Sequence, residues 1–136
     1  MSDFRPATLV PADRRQNFLP ELFGLNRLIA AENFLYALMD QLSPLDYRGG
    51  LWNFYEFNGK PLYLAPSSKP RFRISWEGNG YQGEVSADAA GIIATMFTLS
   101  HLSFRFEDGR FSAAFTRLYE FAVDHPEAGE IFQAID

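Results

Sequence analysis

The chain contains no cysteine, which excludes disulfides, thiolate metal sites and cysteine nucleophiles and suits a reducing compartment. Histidine is scarce as well. His101 and His125 are the only two, no HxxxH or HExxH spacing exists, and a zinc centre is not expected. Ser86, Ser100 and Ser103 lack the G-x-S-x-G setting of a hydrolase elbow. Neither a metal nor a cofactor is expected from these letters. The first stretch, MSDFRPATLVPADRR, has Asp3 early and no apolar run, so it is not read as a secretory signal. The longest apolar helix, 87–102, is interrupted by Asp88, Thr95, Thr98 and His101 and falls short of the roughly 20 residues a bilayer span needs. A cytoplasmic protein with no membrane association is the expectation.

A strong charge of either sign is also missing. The net charge is −5, from 17 acidic and 12 basic residues. Binding DNA by counterion release needs a basic face, and only Lys69, Arg71 and Arg73 suggest one. Imitating DNA needs a track of one charge per ~1.7 Å, which this balance cannot lay down. Direct DNA binding and DNA mimicry are both disfavoured.

What is present is apolar and aromatic. Hydrophobic residues make up 47% of 136 residues, with 14 Phe, enough for one core and too short a chain for two. A single domain over 1–136 is expected, with residues 1–14 a loosely held arm broken by Pro6 and Pro11. Ala12 to Gln16 can form a helical turn after Pro11, and Phe18 to Gly24 another with Gly24 as its stop. Phe18, Leu22 and Phe23 read as a hydrophobic plug.

Apolar residues at 28, 31, 35, 38, 39 and 42 predict an amphipathic helix over 27–42, capped by Asn26 and ended at Ser43-Pro44. Asn58-Gly59 between β-prone runs predicts a hairpin of strands 51–57 and 61–65. A third strand, 71–77, alternates Phe72, Ile74 and Trp76 inward against Arg71, Arg73, Ser75 and Glu77 outward. A short fourth follows over 81–85. Ser86 caps a helix over 87–101, with Asp88 in its first turn, where a carboxylate suits the positive end of the dipole. On that helix Asp88, Gly91, Thr95 and Thr98 form a narrow stripe that admits close approach of another element. Helices over 111–124 and 126–134, the latter opened by Pro126, complete an α+β fold: one small antiparallel sheet of three to four strands flanked by helices.

Three chemistries bear on these residues. The letters GNGYQG satisfy G-x-G-x-x-G, but the helix begins only at Ser86 or Ala87, so the third glycine is misplaced for phosphate binding. Glu77, Glu84 and Asp88 could converge as a carboxylate cluster acting on a nucleotide or nucleic acid. No nucleophile accompanies them, and an edge-strand glutamate beside a helix-start aspartate is the simpler account. Tyr47, Trp52, Tyr55, Tyr63, Trp76 and Tyr81, with Arg71 and Arg73, could stack single-stranded bases. Core filling is the simpler account of these aromatics. His101 is read as a helix-end residue facing the dipole, and His125 as part of a turn.

The block GNGYQGEVSADAAGIIATMFTLSHL and the ending HPEAGEIFQAID resemble the antirestriction family of the ArdB and KlcA type. FLPELFG, GLWNFYEF and LYLAP occur in the matching order, so the resemblance spans about residues 15–136. The loop 102–111 fits least well, and nothing is carried over to it. The resemblance implies a small protein of plasmids, phages or other mobile elements that protects incoming DNA from type I restriction enzymes. It implies a host type I restriction-modification enzyme, or an associated host factor, as partner. It brings no catalytic residue, so the protein is expected not to be an enzyme. The most polar part of the matching block becomes the candidate interaction surface: Glu77, Asn79, Tyr81, Gln82, Glu84 and Asp88.

Overall fold

The computed structural model describes residues 4–136. Everything in it is arranged about one buried helix, α3 (Ala87–Arg105). Ala89 to Met96 are all buried, as are Thr98, Leu99 and Leu102, because this helix is covered on nearly every side. It touches β3 (Lys60–Pro66), β4 (Arg71–Trp76) and β5 (Tyr81–Ser86) on the sheet side. It also touches α2 (Leu28–Leu42), α4 (Gly109–Val123) and α5 (Ala128–Ile135). Full burial of Ile92, Ile93, Met96 and Leu99 contributes about 1.5–3 kcal/mol for each side chain, an upper estimate.

The expected strands all form, and the architecture is α+β, but the strands divide into two sheets. β2 (Trp52–Phe57) pairs antiparallel with β3 through Asn58-Gly59. Both turn residues have positive φ, 52° and 77°, the geometry of a tight primed turn. On its other edge β2 receives β1 (Thr8–Leu9), drawn from the N-terminal arm, and Val10 N–H donates to Phe54 O. β4 and β5 form a separate two-stranded ladder, Arg71↔Ser86 to Trp76↔Tyr81. Phe72 and Ile74 point into the core and Arg71, Arg73 and Ser75 outward, as alternation requires.

The helix ends depart from the sequence reading in four places. Arg27, not Asn26, occupies the cap position of α2 and makes no side-chain cap bond, because 25–27 form a turn closed by Arg27 N–H to Gly24 O. α3 continues to Arg105, where its last N–H bonds are made by Phe106. α4 starts early because the Asp108 side chain accepts from Arg110 N–H. Pro126 lies in a turn before α5, since His125 Nδ1 takes the Glu127 N–H and holds 125–127 out of the helix. Phe18, Leu22 and Phe23 are buried in α1 (Arg15–Phe23), the plug expected. No helix among the described residues is long and apolar enough to cross a membrane.

Candidate functional site

A network of polar side chains lies where β5 turns into α3. Ser86 is in extended conformation, and its Oγ accepts the Ala89 N–H at 3.1 Å, the expected N-cap. Across from it stands Glu127, from the turn before α5. Its Oε1 accepts the Ser86 N–H at 2.9 Å, and its Oε2 accepts the Ser86 hydroxyl. One residue pair thus joins the end of the second sheet, the start of α3 and the start of α5.

Asp88 is the second such joint. Its Oδ1 accepts from Tyr63 Oη–H at 2.5 Å, and its Oδ2 lies 2.7 Å from His125 Nε2. His125 Nδ1 already accepts the Glu127 N–H at 2.9 Å, so a neutral ring carries its proton on Nε2 and donates to Asp88. His125 is buried, and Phe4 and Phe121 pack edge-on against it. Burial, then the Asp88 charge, pushes the Tyr63 phenol well above its ordinary range. Tyr55 stacks on Tyr63 at 5.0 Å and is pushed up by the same two causes. Both carboxylate oxygens and both imidazole nitrogens are committed to neighbours in the protein. The arrangement ties β3, the start of α3 and the turn before α5 together.

The tip of the second hairpin is fastened in the same way. Asn79 Nδ2 donates to the carbonyls of Ala134 at 2.9 Å and Gln133 at 3.2 Å, satisfying the end of α5. Its Oδ1 accepts the Tyr81 N–H. Tyr81 is buried, and its hydroxyl donates to Glu130 Oε1 at 2.9 Å. Burial and that glutamate push the phenol up to about 12.

The six residues expected to form an interaction surface therefore separate into two sets. Asn79, Tyr81 and Asp88 are tied to α5 or to the turn before it. Glu77, Gln82 and Glu84, exposed as Asn79 is, make no such tie. Glu84 pairs with Arg71 at 2.9 Å, while Asp88 is held by Tyr63 and His125, so Glu77, Glu84 and Asp88 do not act as one cluster. Among the described residues no group of three His, Asp or Glu side chains is placed to hold a metal.

The base-stacking surface does not form either. Tyr47, Trp52, Tyr63 and Tyr81 are buried. Trp52 Nε1–H donates to Tyr47 Oη. Arg73 is bound by Asp46, whose Oδ2 accepts both the Arg73 N–H at 2.8 Å and Nε–H at 2.9 Å, while Oδ1 accepts from Nη2 at 2.8 Å. These bonds hold the Asp46 carboxyl well below the usual carboxylate range.

Sequence reasoning missed His125, Glu127, Glu130 and Tyr63 as partners of the site. His101 is not at a helix end: it stacks on Phe34, ring centroids 4.0 Å apart and nearly parallel. The available signal was the spacing within HPEAGE, which places His125, Glu127 and Glu130 together about the start of one helix.

The family model described as "Antirestriction protein" matches residues 45–136. The antirestriction protein KlcA of Escherichia coli is 39% identical over 134 residues, covering 96% of this chain and 94% of that protein. The putative antirestriction protein YubI of Escherichia coli K12 is 35% identical, covering 97% of each. A solved structure from work on the KlcA and ArdB proteins superposes with a TM-score of 0.82 at 37% identity, over 100% of this chain and 99% of that one. That work describes a novel fold and antirestriction activity against type I DNA restriction systems in vivo but not in vitro. With the match extending from the arm to the last helix, the chain belongs to the antirestriction protein family.

Proposed function

We propose that the protein acts in the host cytoplasm to protect incoming mobile-element DNA by inhibiting type I restriction. It does so through protein contacts, without chemistry of its own and without imitating DNA. The observation that carries this reading is the full-length likeness to the KlcA and ArdB fold, whose activity is described in vivo but not in vitro. Activity that needs the cell is what contact with a further host component would give, and the partner is the restriction enzyme or a factor associated with it.

The electrostatics support the same reading. A DNA mimic needs a run of uncompensated carboxylates. Here Glu56 is paired with Arg14, Asp46 with Arg73 and Lys69, and Glu84 with Arg71. The saturated bonding around Asp88 and His125 supports a contact surface over an active site. Of the six, Glu77, Asn79, Gln82 and Glu84 are exposed; Glu77, Gln82 and Glu84 make no bond to α5 and meet the partner, and Asn79, Tyr81 and Asp88 hold their backbone in place.

The test is the plating of unmodified phage on cells carrying a type I system. Expression of the protein raises plating efficiency over an empty vector, and the triple variant Glu77→Ala, Gln82→Ala, Glu84→Ala loses that rise while remaining folded. No rise with the wild-type chain sinks the reading. A rise that survives the triple variant moves the contact away from the hairpin.

A further inference from the structure

A cleft of about 480 Å³ opens between the arm, the β2–β3 turn and one face of α4, within the size range of ligand-binding pockets. Its apolar walls are Phe4, Phe57 and Phe121. Phe57 meets Phe121 edge-on at 5.3 Å, and Phe4 packs on Phe121 at 5.2 Å. Three cationic side chains also line it: Arg5, Lys60 and Arg117.

Among the described residues, those cations form no ion pair. Asp46, Glu56, Glu84 and Asp88 each hold a partner elsewhere. Among the described residues, no carboxylate stands within ion-pair distance of Arg5, Lys60 or Arg117. Arg5 rests on the face of Phe57, 5.1 Å from the ring centre, a position that leaves its N–H groups for another acceptor. The Nε of Arg117 is buried and has no hydrogen-bond partner, an arrangement rare enough in folded proteins to call for a cause. The cleft of similar size beside α1 differs here. Its Arg110 donates to Glu21 O at 2.7 Å, and among the described residues no buried, unpartnered side-chain nitrogen lines it.

Glu120, three residues after Arg117 on α4, and Asp124, which caps the end of that helix, also line the cleft. They set an upper limit on the negative charge the cleft accepts. A phosphate track would meet both carboxylates. A single carboxylate on an apolar side chain would meet the guanidinium and ammonium groups, and its own N–H would face an acceptor.

We infer that this cleft receives one carboxylate-bearing segment of a partner polypeptide, with an aromatic or aliphatic side chain seated against Phe57 and Phe121. The inference rests on the reading that the protein acts through protein contacts, and adds to the hairpin a second contact with a defined chemistry.

The test is a titration of the full ¹⁵N-labelled chain, followed by amide chemical shifts, with N-acetyl-L-phenylalanine as probe. Saturable shifts confined to 57–60 and 117–124 are expected. N-acetyl-L-phenylalaninamide, which lacks the charge, should bind about ten-fold more weakly. Lys60→Gln and Arg117→Gln should each weaken the carboxylate probe by about five-fold or more. Lys60 is exposed at the start of β3, so that variant decides the matter even where loss of Arg117 disturbs packing.

Equal binding of the amide, absence of saturable shifts, or tighter binding of inorganic phosphate overturns the inference. The phage assay reads the antirestriction activity separately. Protection without probe binding removes the cleft and leaves the proposed function standing, and probe binding without protection does the reverse.

Discussion

Gly91 of α3 lies flat against Ala65 of β3: a Cβ placed on Gly91 would stand 2.5 Å from both Cα and Cβ of Ala65. The stripe of small residues on α3 is the seam where the helix meets the first sheet. Thr95 Oγ1 sits 3.4 Å from both the N and the O of Leu64 along the same line. Backbone cannot yield as a flexible side chain does. Gly91→Ala should therefore cost about 3 kcal/mol, the upper part of the range for overpacking. Gly109→Ala, where an added Cβ meets nothing within 4 Å, should stay within about 0.5 kcal/mol. Urea unfolding of the two variants side by side checks the contrast.

Asp46 provides the acid-side signature. Its folded carboxyl titrates below the unfolded one because Arg73 bonds it through backbone and side chain. A depressed carboxyl contributes stability above the unfolded carboxylate range and loses it as pH falls through the folded value. Asp46→Asn should thus be less stable than wild type at neutral pH, with the gap closing in strong acid. Unfolding curves over a pH series would show a constant gap if the bonds to Arg73 contributed nothing.

Tyr81 gives the alkaline counterpart. Its phenol is raised to about 12, above the unfolded value of about 10. The contribution is fully present below the unfolded value and is lost as pH climbs toward 12. Tyr81→Phe should flatten the fall in stability over that interval, and in a phenolate absorbance titration one late-ionising tyrosine should disappear. Loss of an early-ionising tyrosine instead would refute the assignment.

Asp88 and His125 should behave as one unit. Asp88→Asn or His125→Gln leaves a partner short of a hydrogen bond and should cost about 1–3 kcal/mol. In a double-mutant cycle the two should couple by at least about 0.5 kcal/mol. Strict additivity of the two substitutions would show that the contact carries no energy.

Local features of the fold were legible, and distant ones were not. Asn58-Gly59 announced its turn, Ser86 its cap, and the small stripe on α3 its close approach, since each depends on residues within a few positions. The division into two sheets depends on whether β3 pairs with β4, and neither strand's alternation records its neighbour. Thr8–Leu9 joins β2 because an edge was open, which two residues of the arm cannot signal. The partners of the candidate site lie 37 residues apart for Asp88 and His125 and 41 for Ser86 and Glu127. No periodicity spans such a distance. Pro126 misled for a local reason: its neighbour His125 takes the N–H that a helix start would leave free.

The gap between the two sheets carries a consequence for how the molecule opens. No main-chain ladder runs from β3 to β4, so apart from the Ala87 N–H bond to Pro70 O at its base the second hairpin is attached through side chains: Asp46 on one side, and Glu127, Glu130 and Asn79 on the other. It can therefore detach as a cooperative piece while β1–β2–β3 stays paired. Amide exchange would release 71–86 ahead of 52–66, and the slowest amides would be those of α3. A partner that grips the exposed hairpin would then be felt as slower exchange throughout 71–86, beyond the residues it touches.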